Sequence, residues 1–527
     1  MHPDGAETIF HNGVVWVGLH APPGATALAV AGGRITAVGP IDEVMGLRQP
    51  RTHMVDLQGQ TLMPGFVDAH AHIWKIGHLL TTLLDVRQAA SLEDVAAGLR
   101  DHATRLPPGV WLQGRGYNEA RFPDGRPPTR TDLDAVVSDR PVVLMRTCAH
   151  IIVCNSRALE IAGVGRHTPA PPGGEIDRGE GGEPTGVLRE TAMGLVLRHV
   201  PPPTADEYAA MITAALRHQV SLGITSTNDA GVAPALLDVY RRMDDEGRLA
   251  NRVNVMALRL VDGVGPVRLP ARRHVSDRLR IDTVKFFADG GLSGATAALG
   301  VPYRHADTRG VLRFQYAELL GLAREAHDAG WRIATHAIGD VAIEQVLGIY
   351  EALGRGPMRH RIEHFGLPTA DHLTRASRLG VIAVPQTVFI HALGRNFRQY
   401  LPDALLARAY PVRAMLDAGV TVALSSDAPV VENDSPLLGI QAALLRRDAE
   451  GEAIASAEAI SLDEALDAYT RGGAIASGDE GNRGSLRAGL WADLAVLSGD
   501  PHATPPEELT SLRVTQTWVG GQQVHAA

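Results

Sequence analysis

Lysine is nearly absent from this sequence: its 527 residues include two, Lys75 and Lys285, and the other 48 basic side chains are arginines. A guanidinium stays charged, whereas a desolvated lysine can lose its proton and react as an amine. A lysine kept inside an apolar run therefore asks for chemistry. Cysteine is as scarce. Cys148 and Cys154 cannot build a disulfide framework, which excludes a disulfide-stapled secreted scaffold and makes the cytoplasm the expected compartment. A basic excess is also missing, the formal net charge being −9, so a nucleic-acid footprint and a polybasic membrane patch are both excluded. No apolar run approaches the roughly 20 residues of a bilayer-spanning helix. The start, Met1-His2-Pro3-Asp4-Gly5, lacks the charged and apolar regions of a signal peptide. The expectation is a soluble protein with neither a nucleic-acid nor a membrane partner.

What the chain does contain is a globular mixture, 45% hydrophobic and 21% charged, long enough for about three units of ordinary size or one large barrel with additions. Its two ends share a texture of short strands. Glu7 to Leu62 holds Ile9-Phe10, an Asn12-Gly13 turn, Val14 to Val17, Ala27 to Val30 and Arg34 to Val38. Ala492 to Leu497 and Val514 to Val524 repeat the pattern, with Gly520-Gly521 marking a hairpin. Neither end has enough strands to bury a core alone, so residues 1–62 and 484–527 are expected to pair into one small β-sandwich domain.

Between them, from 63 to 483, strands alternate with helical patterns such as Tyr316 to Gly330, whose apolar stripe stops at glycine. Eight strand candidates follow in order: Gly65 to His70, Ile224 to Asp229, Arg252 to Leu258, Thr283 to Asp289, Arg332 to Ala337, Arg361 to Phe365, Val381 to Gln386 and Thr421 to Asp427. The pattern predicts an α/β fold, a (β/α)8 TIM barrel, with functional groups at the carboxyl ends of its strands. An insertion after the first strand, about 80–207, contains Val110 to Gly114, Val142 to Arg146 and a Pro/Gly run from Thr168 to Gly186. It reads as a lid or substrate-shaping subdomain.

The first chemical motif is Asp68-Ala69-His70-Ala71-His72. Residues two apart on a strand face the same way, so both imidazoles can converge on one metal, although His-x-His alone reads equally well as two loop histidines. Placement strengthens the metal reading. Lys285 lies inside the apolar run Thr283 to Ala288, His336 ends the fifth strand, His364 the sixth and Asp427 the eighth. Each alone reads as a satisfied core histidine, a turn aspartate or a lysine paired with Asp282 or Asp289. Together, at one barrel mouth, they point to a metal site.

With these residues in place the sequence resembles the metal-dependent amidohydrolase superfamily, and within it the amidohydrolase-3 group that includes N-substituted formamide deformylases and the YtcJ-like proteins. Further collinear blocks carry the resemblance: Ala29 to Gly39, Asp56 to His72, Asn155 to Leu159, Gly182 to Leu188, Gly223 to Ser226 and Gly484 to Leu497. The resemblance implies a binuclear site, usually of zinc. His70, His72 and Asp427 would hold the more buried ion and His336 and His364 the more exposed one. Lys285, carboxylated by carbon dioxide, would bridge both. A lysine in an apolar strand has a depressed pKa and reacts as the free amine, and its carbamate is a hard, bidentate oxygen ligand, so the residue chemistry agrees.

The implied reaction is attack of metal-activated hydroxide on a non-peptide amide such as an N-acyl or N-formyl amine, with Asp427 carrying the proton to the leaving nitrogen. Arg146, His150 and Asn155 in the insertion, and Gln386 at the seventh strand as an oxyanion or carbonyl donor, are the substrate-facing candidates. The partner is a small-molecule amide, and the superfamily resemblance implies a homo-oligomer, a dimer.

This chain departs from the group's pattern at Cys148-Ala149-His150, where relatives commonly read Asp-Gly-His. It departs again at Asn228-Asp229, often His-Asp, and at Ala295, often arginine, so a relative's substrate specificity does not transfer. A mononuclear heterocycle deaminase and a cyclic-amide hydrolase are the alternatives. The former usually carries a glutamate soon after the fifth-strand histidine, where this chain has Ala337-Ile338-Gly339-Asp340. A non-catalytic barrel is the remaining reading, and missing ligands would be its mark.

Overall fold

The computed structural model describes residues 5–19, 24–146, 151–171, 174–261, 265–266, 268–292, 294–304, 307–354 and 358–527. They divide into two compact units, Met1–Ile73 with Ala215–Ala527, and Trp74–Ala214.

The first unit is built on eight parallel strands in chain order: Phe66–Ala71, Ile224–Val232, Arg252–Leu258, Leu279–Phe287, Arg332–Ala337, Arg361–His364, Ile382–Val384 and Thr421–Val422. This is an α/β, TIM-type arrangement. Strands covered on both faces read as continuous buried runs, and the first is buried at every position. The helices between them follow the apolar stripe. Tyr316–Asp328 buries Leu319, Ala323 and Ala326, then gives way at Gly330, whose φ of +76° ends the helix at little cost.

Several strand bounds differ from the sequence expectation, and the eighth differs most. Its ladder stops at Val422 because the chain then turns to meet the first strand. Ala69 N–H reaches the Leu424 carbonyl at 3.4 Å and Asp427 N–H reaches the His70 carbonyl at 2.7 Å. The Asp68 carboxylate accepts from Ser426 twice, N–H at 3.1 Å and Oγ–H at 2.5 Å. These bonds join the eighth strand to the first where no regular ladder runs.

The same unit carries two smaller sheets made from both chain ends. One has the order Arg34–Gly39, Ala27–Ala31, Thr8–His11, His53–Asp56; the other Val14–Val15, Thr61–Pro64, Leu494–Leu497, Val514–Val519, Gln522–Ala526. Phe10, Leu28, Val30 and Ile35 from the first share a core with Leu62, Leu494, Val496 and Trp518 from the second, and Trp518 meets Phe10 edge-on at 5.1 Å. Gly520 and Gly521, at φ +59° and +72°, make the two-residue turn of the last hairpin, as its sequence predicts. Arg252, at the base of the third barrel strand, forms a buried bidentate pair with Asp493 at 2.6 and 2.9 Å and lies over the Trp491 ring. This pair ties the barrel to the small sheets.

Residues Trp74–Ala214 hold a six-stranded sheet, more order than the two strands and the Pro/Gly run expected there. Its order is Gly174–Arg178, Pro184–Glu190, Ile151–Cys154, Val142–Arg146, Leu112–Tyr117, Leu83–Asp85. Alternation along the strands sends Leu112, Leu144, Val153 and Val187 to one apolar core and Val143, Ile152, Cys154 and Leu188 to another, so both faces are covered. Among the described residues, no helix is long and apolar enough to cross a membrane.

Candidate metal centre

Strand register sets the site. Lys285 pairs with Ala334, Phe287 with His336, His336 with Glu363, and Ala337 with His364, which staggers their side chains up the barrel mouth. His70 and His72 leave the first strand two residues apart. His364 and Asp427 both adopt left-handed backbone, φ +69° and +56°, where the chain leaves the strand direction and turns each side chain toward the others.

The imidazole tautomers can be read from what each ring touches. His72 Nδ1 lies 2.8 Å from the Ala230 carbonyl, which can only accept, so Nδ1 carries the proton and Nε2 presents a lone pair. His70 Nδ1 donates to Oε2 of Glu363 at 2.5 Å, a carboxylate clamped by Arg361, and its Nε2 is likewise free. His364 Nδ1 donates to Oε1 of Gln386 at 2.7 Å. His336 uses Nε2 as donor to the Gly290 carbonyl at 3.1 Å, leaving Nδ1 as its lone pair.

Asp427 Oδ1 then stands 3.1 Å from His72 Nε2 and 3.4 Å from His70 Nε2. Donors about 2.1 Å from a tetrahedral zinc lie about 3.4 Å apart, so the spacing suits a cation. Among the described residues these three are the group able to hold a metal.

Electrostatics agree. Burial, then the nearby Lys285, lowers His70 to about 4, and burial with His336 beside it holds His364 well below the usual histidine range, so both rings are neutral.

Lys285 is 0% exposed, and its amine has no hydrogen-bond partner among the described residues. The pairing with Asp282 or Asp289 that its sequence allows does not form. Asp282 bonds Arg280 and Thr283, while Asp289 accepts backbone N–H groups from Ala298, Ile338 and Gly339. Burial lowers the lysine to about 8, and its ammonium position lies 5.0 Å from the Phe287 ring centre. An orphaned amine of depressed basicity beside vacant imidazole lone pairs fits the carbamate chemistry.

The substrate-facing expectations fare differently. Gln386 is not a free donor: it is fully buried and spends its amide hydrogens on the Val384 carbonyl and the Ser425 hydroxyl. Asn155 is also fully buried, capping the helix Ser156–Ile161 through Ala158 N–H and bonding Val142, Val137 and Arg140, with no capacity left for a ligand. Arg146 pairs with Glu119 at 2.9 Å. His150 lies outside the described residues. Sequence reasoning passed over Glu363, although it adjoins His364 and shares a strand face with Arg361. It also passed over Asp68, which burial raises to about 7 and which holds Ser426 beside Asp427.

Fold and cluster together define a TIM-type barrel protein with a candidate metal centre at the carboxyl ends of its strands. The chain belongs to the amidohydrolase family, whose model matches residues 53–525. It is similar to YtcJ of Bacillus subtilis, 32% identical over 98% of this chain and 99% of that one. It is equally similar to the N-substituted formamide deformylase of Arthrobacter pascens, 32% identical over 94% of each. Among solved structures, an uncharacterized metal-dependent hydrolase from Pyrococcus horikoshii superposes with a TM-score of 0.80 at 26% identity, covering 95% of this chain and 99% of that one.

Proposed function

We propose that this chain is a metal-dependent amidohydrolase that cleaves the C–N bond of a non-peptide amide, an N-acyl or N-formyl amine. The observation that carries the reading is the convergence of His70 Nε2, His72 Nε2 and Asp427 Oδ1 at a spacing that suits a cation. His336 and His364, with a carbamate formed on Lys285 by carbon dioxide, would complete a binuclear zinc site. When bound, the metal supplies Lewis-acid polarisation of the carbonyl and lowers the pKa of water.

The protein residues do the rest. The ionised Asp427 carboxylate accepts a proton from the attacking water and returns it to the nitrogen as the C–N bond breaks, giving a carboxylic acid and an amine. Asp68 and Ser426 hold the Asp427 backbone in place. The similarity to an N-substituted formamide deformylase supports this reading.

We further read the two small sheets, 1–62 with 484–527, as the β-sandwich domain, 63–483 as the barrel domain, and the inserted segment 80–207 as the substrate-shaping subdomain. We place the enzyme in the cytoplasm, as a dimer acting on a small molecule.

One observation favours a mononuclear deaminase instead: His70, His72 and Asp427 gather as three donors without help from Lys285. Metal content by elemental analysis, in protein prepared with zinc and bicarbonate, separates the readings. About two ions per chain support the binuclear amidohydrolase and about one supports the deaminase. None overturns both. Assay of N-formyl and N-acyl amines, cyclic amides and amino-heterocycles then distinguishes acid-plus-amine, ring-opened and ammonia products.

A further inference from the structure

Parallel barrels are ordinarily filled with branched apolar side chains. Beneath the His70 ring this one holds an ion pair instead. Arg361 and Glu363 are both 0% exposed and, two residues apart on the sixth strand, share its inward face. Arg361 Nε donates to Glu363 Oε1 at 2.8 Å and Nη2 to Oε2 at 3.0 Å. Nη2 also reaches the Ala69 carbonyl at 2.6 Å, and Nη1 bonds Asn228 Oδ1 at 2.8 Å and the Ala476 carbonyl at 3.0 Å. Both Nη groups and Nε are thus occupied and the guanidinium cannot turn.

A buried ion pair returns little stability over apolar side chains of the same volume, so its presence here asks for another role. The pair touches the first strand at two successive residues, the backbone carbonyl of Ala69 and the ring of His70. Of the other imidazoles, His72 and His364 rest on neutral groups, the carbonyl of Ala230 and the amide of Gln386. His336 Nε2 lies 3.1 Å from the Gly290 carbonyl and 3.3 Å from the Asp289 carboxylate, which among the described residues is not held by an arginine as Glu363 is. A hydrogen bond to a carboxylate is stronger than one to a carbonyl and makes the ring a better electron donor.

We propose that Glu363, clamped by Arg361, is a positioning residue that holds His70 with its Nε2 lone pair aimed at His72 and Asp427, and that this carboxylate sets the cation affinity of the cluster. The inference rests on the metal reading above and adds the group that tunes it.

The test is Glu363→Gln in the full chain, with zinc affinity measured by competition against a chromophoric chelator, the visible spectrum of the cobalt(II)-loaded protein, and the melting temperature of the metal-free protein. Zinc affinity is expected to fall about 10–100-fold and the cobalt spectrum to change. Asp493→Asn breaks another buried pair of this unit and serves as the control, expected to lower the melting temperature and leave zinc affinity unchanged. Glu363→Gln protein that folds and binds zinc within about twofold of wild type overturns the proposal. Should that variant not fold, Arg361→Met with Glu363→Gln removes both charges together, and its zinc affinity is read the same way. Wild-type protein that takes up no zinc would overturn the metal reading and this inference with it, whereas uptake unchanged by the variant overturns this inference alone.

Discussion

Gln386 accepts the Nδ1–H of His364 at 2.7 Å while its own amide is anchored to Val384 and Ser425, so an imidazole on the sixth strand is oriented by a side chain from the end of the seventh. His364 reaches this position from left-handed backbone, a conformation that costs about 1–3 kcal/mol for a residue with a side chain. Gln386→Leu should leave the Nδ1–H buried without an acceptor. Turnover and metal retention are expected to fall about 10–100-fold, read by steady-state kinetics and elemental analysis. Unchanged values would mean that packing alone orients the ring.

Lys285→Met exchanges a buried, unpartnered amine for an apolar chain of similar length. Metal-free protein should become more stable by about 1–3 kcal/mol, seen in thermal or urea unfolding, while turnover disappears. A less stable variant would show that the amine has a partner in solution.

Asp427→Asn keeps the shape of the side chain and removes its capacity to take a proton. A loss of about 10²–10⁴ in kcat is expected. A loss under about tenfold would remove Asp427 as the proton carrier.

Arg252 and Asp493 form a pair that is about 95% buried on both sides. Burial raises the Asp493 carboxyl, but Arg252 and then Arg483 outweigh it and hold it below its ordinary value. Asp493→Asn should destabilise the protein by about 3–5 kcal/mol near neutrality, because Arg252 is left charged and unpaired. A lowered carboxylate contributes stability above its unfolded pKa and loses it as pH falls through the folded value. The lead of wild type over the variant in urea unfolding should therefore narrow below about pH 4.

His218 faces Asp434 at 2.9 Å, and that hydrogen bond raises its pKa above the ordinary 6.5 against the opposing effect of burial. A raised histidine contributes fully below its unfolded pKa and loses the contribution as pH rises through the folded one. The difference in melting temperature between wild type and His218→Asn should shrink from about pH 6 to pH 9, from a contribution of about 1 kcal/mol or less given the partial exposure. A difference independent of pH would show that no charged pair forms.

Much of this architecture was legible in the chain itself. Short apolar runs alternating with amphipathic stretches specify strands and helices through local periodicity, and that periodicity placed His70, His72, Lys285, His336, His364 and Asp427 at strand ends. Residue type did the same for Lys285, an amine surviving among 48 arginines. Which donors face which acceptors was decided only by folding. Glu363 and His70 are 293 residues apart, and Asp68 and Ser426 are 358 apart. Their meeting depends on strand register and on how the eighth strand returns to the first, neither of which leaves a periodic trace. For the same reason Gln386 and Asn155 looked like ligand-facing polar groups, while tertiary hydrogen bonds had already used their donors and acceptors. Pattern reports which side chains share a face, and only the packed barrel reports which of them still have a lone pair or a proton to offer.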